Sequence, residues 1–413
     1  MSKVLAGCFC TVAMMVVGAV NAGAQQTDTT AVRQETPAMV KAVRTVEGAY
    51  LNSSAGGDRL GGNRMGYLSP NVVMEVVETT EDVGAGPFYK VRLSGNRTAY
   101  IGMENVVDTL VGSGYFKTTI AESGSVANVG KADRIALGIG ARKPYLVYEE
   151  LDPHVMTIDI HGVNNNINWL TQELDLKAVK SVDLIQIDGD ILRVKIVFQK
   201  NVAWGYSIGY NGNTLEVFLK HLPEKFTLKG MTVALDAGHG GDQPGAISRK
   251  MRFEEKDINL DFAYTLKKML EKKGAKVILT RPDDRAMTMK ERKTVARDND
   301  IDFLISLHNN GNEDPKVRGT STYYKYIVNR DLAKCILEQV MTLPGVGYFG
   351  LVGNFNFSMG QTVEYPNALL EGLFMSNEQD EAMLADSRFR RQMMGKTLKG
   401  IENWLNNCKK ACK

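Results

Sequence analysis

At Leu228 the chain changes its rhythm, and no single-layer fold accommodates both halves. Before that point, short apolar runs alternate with turn residues; after it, β-type runs alternate with stretches whose apolar residues recur at helical spacing. Met231 to Leu235 reads as a strand. Phe262, Leu266 and Leu270 mark a helix from about Ile258, and Val277 to Thr280 a second strand. A helix over roughly Met289 to Arg297 precedes an apolar strand, Asp302 to Leu307, that ends at His308. Leu332, Ile336 and Val340 mark a further helix, and Phe389, Met393, Leu398, Ile401 and Leu405 the last one. Alternation of this kind predicts an α/β region, a mostly parallel sheet flanked by helices, with side chains for chemistry gathered at the carboxyl ends of strands.

The 413 residues exceed one ordinary domain, and an apolar content of 44% is enough for well-buried cores. Residues 1–24 read as a signal peptide, with Lys3, an apolar Val4 to Val20 and the small-residue site Ala22-Gly23-Ala24, followed by a polar linker at 25–39. This predicts export to the periplasm or cell envelope with no retained transmembrane segment. Leu5-Ala6-Gly7-Cys8 resembles a lipoprotein box, but it precedes most of the apolar run, the reverse of what export needs. Cleavage would leave 49 basic against 47 acidic residues, since 50 and 47 are present and only Lys3 is lost. Nothing in that balance calls for nucleic acid. Three cysteines remain, Cys335, Cys408 and Cys412, an odd number whose pairing the sequence leaves open.

Between residues 40 and 110, short strands at Val72 to Val77, Tyr89 to Leu93 and Ala99 to Ile101 predict a small barrel. The segments Gly48 to Asn52, Phe88 to Arg92 and Ala99 to Gly102 resemble bacterial SH3-like domains, although Ser54 and Phe88-Tyr89 replace an arginine and a tryptophan common there. The resemblance implies a wall-binding module or a spacer. Residues 116–222 contain a repeat: Arg134 to Ile139 matches Arg193 to Phe198 at an offset of 59 residues, and Met156, Ile158 and Ile160 match Leu215, Val217 and Leu219. Each copy reads as a three-strand unit, and two such units are expected to face each other as a sandwich. This resembles the AMIN domain, which implies localisation on peptidoglycan. His154, His161 and Trp204 are expected to pack rather than to react.

The strand at 231–235 runs into Asp236-Ala237-Gly238-His239-Gly240-Gly241, and Glu255, His308 and Glu371 follow at strand or helix ends. Two histidines and a carboxylate are a recurrent hydrolytic zinc set, and the fourth carboxylate is left to move protons. Glycines beside His239 leave room for backbone and imidazole to approach a metal and substrate. Neither GxGxxG nor a following Lys-Ser or Lys-Thr points to a nucleotide.

Asp236 to Gly241, Glu254 to Leu260, Leu279 to Arg281, Ser306 to Asn309, Arg318-Gly319 and Leu370 to Asn377 together resemble the zinc N-acetylmuramoyl-L-alanine amidases of the amidase-3 type, in order across the region 228–407. The resemblance implies zinc held by His239, Glu255 and His308, with Glu371 as catalytic base, cleaving the amide between N-acetylmuramic acid and L-alanine of peptidoglycan. Two other readings fit the same residues: a non-catalytic wall-binding or activator protein, and a zinc peptidase acting on another envelope amide. Glu254 is the immediate rival of Glu255, and Glu364 of Glu371. Asp236 is expected to orient an imidazole, while Arg281 and Arg318 either hold substrate carboxylates or pack. Arg297, Asn310 and Tyr348 to Gln361 depart from the pattern of the family. The 62 residues between His308 and Glu371, 309 through 370, leave no room for the blocking helix that some such enzymes insert, which predicts an open site. Protein regulators stay undefined at this level.

Overall fold

The computed structural model describes residues 38–56, 62–81 and 86–413; the segment 1–24 expected to be a signal peptide, and all but the last two residues of the expected linker 25–39, lie outside them. Among the described residues no helix is long and apolar enough to cross a membrane.

The first region is one antiparallel sheet of seven strands. It runs in the order Arg64–Tyr67, Tyr50–Asn52, Arg97–Gly102, Phe88–Ser94, Val73–Thr79, Met39–Thr45 and Val106–Gly112. Alternation buries one face: Val43, Met74, Val91 and Ile101 are shielded from solvent.

The second region stacks a five-stranded sheet on a four-stranded one, and here the repeat behaves unexpectedly. Ala132–Gly138, the first strand of one copy, pairs with Thr214–Lys220, the third strand of the other, in the register Ile135↔Val217. Reciprocally, Val155–His161 pairs with Ile191–Phe198 in the register Ile158↔Val194. The copies therefore do not form two self-contained three-strand units; each sheet takes one strand from one copy and two from the other. Sequence similarity at a fixed offset specifies which strands are alike, not which of them pair. One apolar cluster then runs through both regions, joining Val43, Met74 and Ile101 to Ile135, Ile158, Val194 and Val217. The sandwich histidines pack, as expected: His154 stacks on Phe198 with ring centroids 3.8 Å apart, and His161 meets Ser94 of the first sheet at 3.3 Å.

From residue 228 the third region follows, with strands β1 (Thr232–Ala237), β2 (Lys276–Leu279), β3 (Phe303–Asn310), β4 (Thr320–Tyr323), β5 (Tyr348–Val352) and β6 (Asn367–Phe374). Its helices are α1 (Glu255–Lys272), α2 (Met289–Asp298), α3 (Arg330–Val340), α4 (Glu378–Ala385) and α5 (Ser387–Ala411). The sheet order is β2-β1-β3-β6-β4-β5. Four of its five strand pairings are parallel and only β4 on β6 is antiparallel, so the sheet is mostly parallel, as expected, with one reversal that makes it partly mixed. The cause is the connection 311–319, which has no helix and is too short for a parallel crossover. Leu266, Leu270, Leu332, Ile336, Met393 and Ile401 bury the helical stripes against this sheet. Trp204 of the sandwich joins the same core, stacked on Trp404 at 5.5 Å. Thr288 and Glu291 close a capping box at the start of α2. Cys335 and Cys408 are buried, Cys412 is partly exposed, and all three thiols are free.

One buried carboxylate holds the sandwich to its own connecting loop. Asp133, fully buried, accepts hydrogen bonds from the backbone N–H groups of Lys177, Ala178 and Val179 at 3.0, 2.7 and 2.9 Å and contacts His221 Nε2 at 2.7 Å. Removing it leaves buried donors without an acceptor, so Asp133→Ala is expected to destabilise the chain by about 3 kcal/mol. Thermal unfolding of the full chain checks this, and an unchanged midpoint would contradict it.

Candidate metal and hydrolytic site

Four elements of the third region deliver the candidate site. His239 sits two residues beyond β1, in a left-handed conformation with φ of 60° that a non-glycine residue adopts only under constraint. Glu255 opens α1, where the positive end of the helix favours its charge. His308 lies inside β3 and Glu371 inside β6, not at their ends as the sequence pattern suggested. In the parallel register of these strands the two residues are direct neighbours. That pairing places the spare carboxylate beside the imidazole.

Glu255 is the hub of the cluster. Its Oε2 lies 3.1 Å from His239 Nε2, its Oε1 3.0 Å from His308 Nδ1, and one donor atom from each of the three residues falls within 4.8 Å of the others. Asn259 Nδ2 and the N–H of Asn309 also donate to Oε1, while the N–H of Ala246 donates to Oε2. Burial alone would raise the Glu255 pKa, but hydrogen bonds from the two histidines outweigh it and hold the carboxyl well below the usual range. Glu254, the rival, faces outward and pairs with Lys256 at 3.2 Å. Asn259 escaped the sequence reading, although its position one turn after Glu255 is a usable signal.

Glu371 differs in every respect. Its Oε2 is shielded from solvent and has no hydrogen-bond partner among the described residues. Burial, and then the charge of Glu255, push its pKa well above the ordinary carboxylate value. An orphaned buried carboxyl oxygen beside a ligand cluster is the mark of a group that needs a partner from outside the chain. Glu364, its rival, is elsewhere, accepting from Arg297 Nε at 3.1 Å.

Two arginines that charge statistics would place on the surface are fully buried and fasten the His239 loop. Arg281 donates to the carbonyls of Ala237 at 2.9 Å and Gly238 at 3.0 Å. Arg292 donates to Asp236 Oδ1 at 2.8 Å, to the Ala237 carbonyl at 2.7 Å and to the carbonyl of His239. Asp236 also accepts from Thr280 and Ser306, so its hydrogen bonds hold the strand ends and not, as expected, an imidazole. Arg318 is tied to Asp380 at 2.9 Å. Neither Arg281 nor Arg318 is thus left to hold a substrate carboxylate.

The departing segment 348–361 reaches the site through aromatic side chains. Phe357 meets His308 edge-on with ring centroids 5.0 Å apart, Phe355 stacks on Phe357 at 6.2 Å, and Phe355 packs on Tyr323 at 4.8 Å. The Tyr323 hydroxyl accepts from Asn310 and Ser321, each at 3.4 Å.

The residues present fit a metal ion. The donor set, two imidazoles and a carboxylate, suits zinc with an open position, and the backbone is shaped around it. A Cβ on Gly238 would stand 2.1 Å from His308 Cε1, and one on Gly245, whose φ is 73°, would stand 2.4 Å from Glu255 Oε2. Gly238→Ala is therefore expected to displace the His308 ring and to weaken zinc affinity at least tenfold, with the helical content unchanged. Metal analysis after dialysis checks this; full zinc retention would contradict it.

The family described as N-acetylmuramoyl-L-alanine amidase matches residues 233–403. The probable cell wall amidase LytH of Staphylococcus aureus is 31% identical over 208 residues, 49% of this chain and 67% of that protein. Among solved structures, the catalytic domain of CwlV, an N-acetylmuramoyl-L-alanine amidase from Bacillus (Paenibacillus) polymyxa var. colistinus, is 29% identical. That match covers 43% of this chain and 98% of that one, with a TM-score of 0.41. The N-acetylmuramoyl-L-alanine amidase of Clostridium difficile 630 is 28% identical, with 43% and 97% covered and a TM-score of 0.41. A matched segment that begins in β1 and ends in α5 takes in all four site residues, and the chain belongs to the N-acetylmuramoyl-L-alanine amidase family of peptidoglycan hydrolases.

Proposed function

We propose that His239, Glu255 and His308 hold a zinc ion and that Glu371 is the general base and acid of amide hydrolysis between N-acetylmuramic acid and L-alanine. The observation that carries this reading is the pairing of a three-donor cluster with one solvent-shielded, unpartnered carboxyl oxygen in the next strand. Bound there, zinc supplies Lewis acidity, which makes attack by water on an amide feasible near neutral pH. Glu371 takes the proton of the attacking water and returns it to the departing alanine nitrogen. Asn259 and Asn309 keep the Glu255 carboxylate in one orientation, and Arg281 and Arg292 keep His239 in its left-handed turn. The His239 side chain is 32% exposed, which supports direct access for a polymeric substrate and an open site.

The reading extends to the front regions and to location. The seven-stranded sheet of 40–110 is read as an SH3-like module and the strand-exchanged sandwich of 116–222 as an AMIN-like one, both serving to hold the enzyme on its substrate. The leader at 1–24 supports export to the envelope, where peptidoglycan lies.

Zymography on purified sacculi tests the proposal. Chelation is expected to abolish clearing and zinc to restore it. Glu371→Gln is expected to retain the metal and lose about 10²- to 10⁴-fold in rate. Clearing that survives chelation, or products whose stem peptides remain on muramic acid, would overturn it.

A further inference from the structure

A cavity of about 370 Å³ opens where the three regions meet, away from the four site residues. Glu47 and Tyr67 of the first sheet, Tyr206 of the sandwich, and Lys293 and Tyr326 of the third region all line it. Its volume falls in the range of pockets that enclose small ligands.

Charge in this cavity is unevenly satisfied. Glu47 pairs with Lys290 at 3.2 Å and with Arg297 at 3.5 Å, and Arg297 also holds Glu364 at 3.1 Å. Lys290, Lys293 and Arg297 thus face two carboxylates, and the cation left over is Lys293, which has no ion pair or hydrogen bond among the described residues. Burial, together with Arg64 and Arg297, pushes its ammonium down to about 8, with Glu364 offsetting this only in part. A partly buried cation without a counter-ion is costly, and an entering anion relieves that cost.

The rest of the lining suits a ring that carries hydroxyl groups. Tyr206 and Tyr326 offer apolar ring surface and hydroxyls that have no hydrogen-bond partner among the described residues, whereas the hydroxyls of Tyr67 and Tyr145 are engaged by Arg64 and Ser69. Aromatic residues with a free polar tip bind ligands that are apolar on one face and polar at the edge.

We propose that this cavity binds a carboxylate-bearing amino sugar, the N-acetylmuramic acid left on the glycan once its peptide has been removed. Hydrolysis of the lactyl amide adds water across one C–N bond, giving a free lactyl carboxylate on the sugar and a free amine on alanine. The sugar carboxylate exists only after the cut, so a site built on Lys293 and two tyrosines distinguishes a stripped strand from an intact one. The proposal rests on the amidase reading for the source of its ligand, not for the binding itself.

Calorimetric titration of the full chain with N-acetylmuramic acid tests it. Saturable binding is expected, weakened at least tenfold in Lys293→Met and retained in Lys293→Arg, with clearing of sacculi unchanged in both. N-acetylglucosamine, which lacks the carboxylate, and L-alanyl-D-glutamic acid, which lacks the sugar, are each expected to bind at least tenfold more weakly. Independently of any variant, amide resonances around Lys293, Tyr206 and Tyr326 are expected to shift in the wild-type chain. No saturable binding, equal binding of either control, or shifts confined to β6 and the His239 loop would overturn the proposal. Sugar binding that persists in a chain without hydrolytic activity would sink the amidase reading alone.

Discussion

The buried ion pair between Asp236 and Arg292, with Arg281 beside it, is what the rest of the site stands on. Two guanidinium groups taken out of water are expensive, and they are tolerated because nearly every donor finds a carbonyl or carboxylate on the strand end or the loop after it. In exchange the loop is fixed in a conformation that an isolated Gly-His-Gly turn would seldom adopt. His239 Nε2 then lies 3.1 Å from Glu255 Oε2, within the cluster that the strand ends and α1 assemble.

How much of this was legible in the sequence depends on what kind of signal each feature leaves. His239, Glu255, His308 and Glu371 stood out because each sits in a distinctive run of residues, and all four now lie in one family match. The helices α1, α3 and α5 were equally readable, since apolar residues at helical spacing survive as buried stripes, whereas α2 buries only Arg292 and Ala296. Strand β4 was not readable, because Thr320–Tyr323 is no apolar run, and only the short link 311–319 decides that the chain turns back there. Nor was the role of Arg292, because a charged residue reads as a surface residue until its partners are known; Arg281 was left between packing and substrate binding, since its partners are backbone carbonyls that no side-chain pattern records. Helix α4 escaped for a related reason, being short and held by Asn377 at its start rather than by an apolar stripe.

Front and catalytic regions are linked by a short polar relay. Arg64 of the first sheet donates to Gln361 Oε1 at 2.6 Å, and Gln361 Nε2 donates to the carbonyl of Asn356 at 2.5 Å, one residue before Phe357 on the face of the site. The segment that departs most from the family pattern is thus the one that spans from the front module to the His308 ring. A side chain in the first sheet and the His308 ring thus contact the same short stretch of backbone.

The crossed pairing of the sandwich strands makes each copy of the repeat depend on the other. When the first strand of one copy completes the sheet of the other, half of the repeat has no way to finish its own hydrogen-bond ladder. Such a half would be complete only as a swapped homodimer, two identical chains trading one strand across a twofold axis. In this chain both copies lie on one polypeptide, so the crossed ladders close within it, and Trp204, at the position matched to Tyr145, reaches out of the sandwich to stack on Trp404.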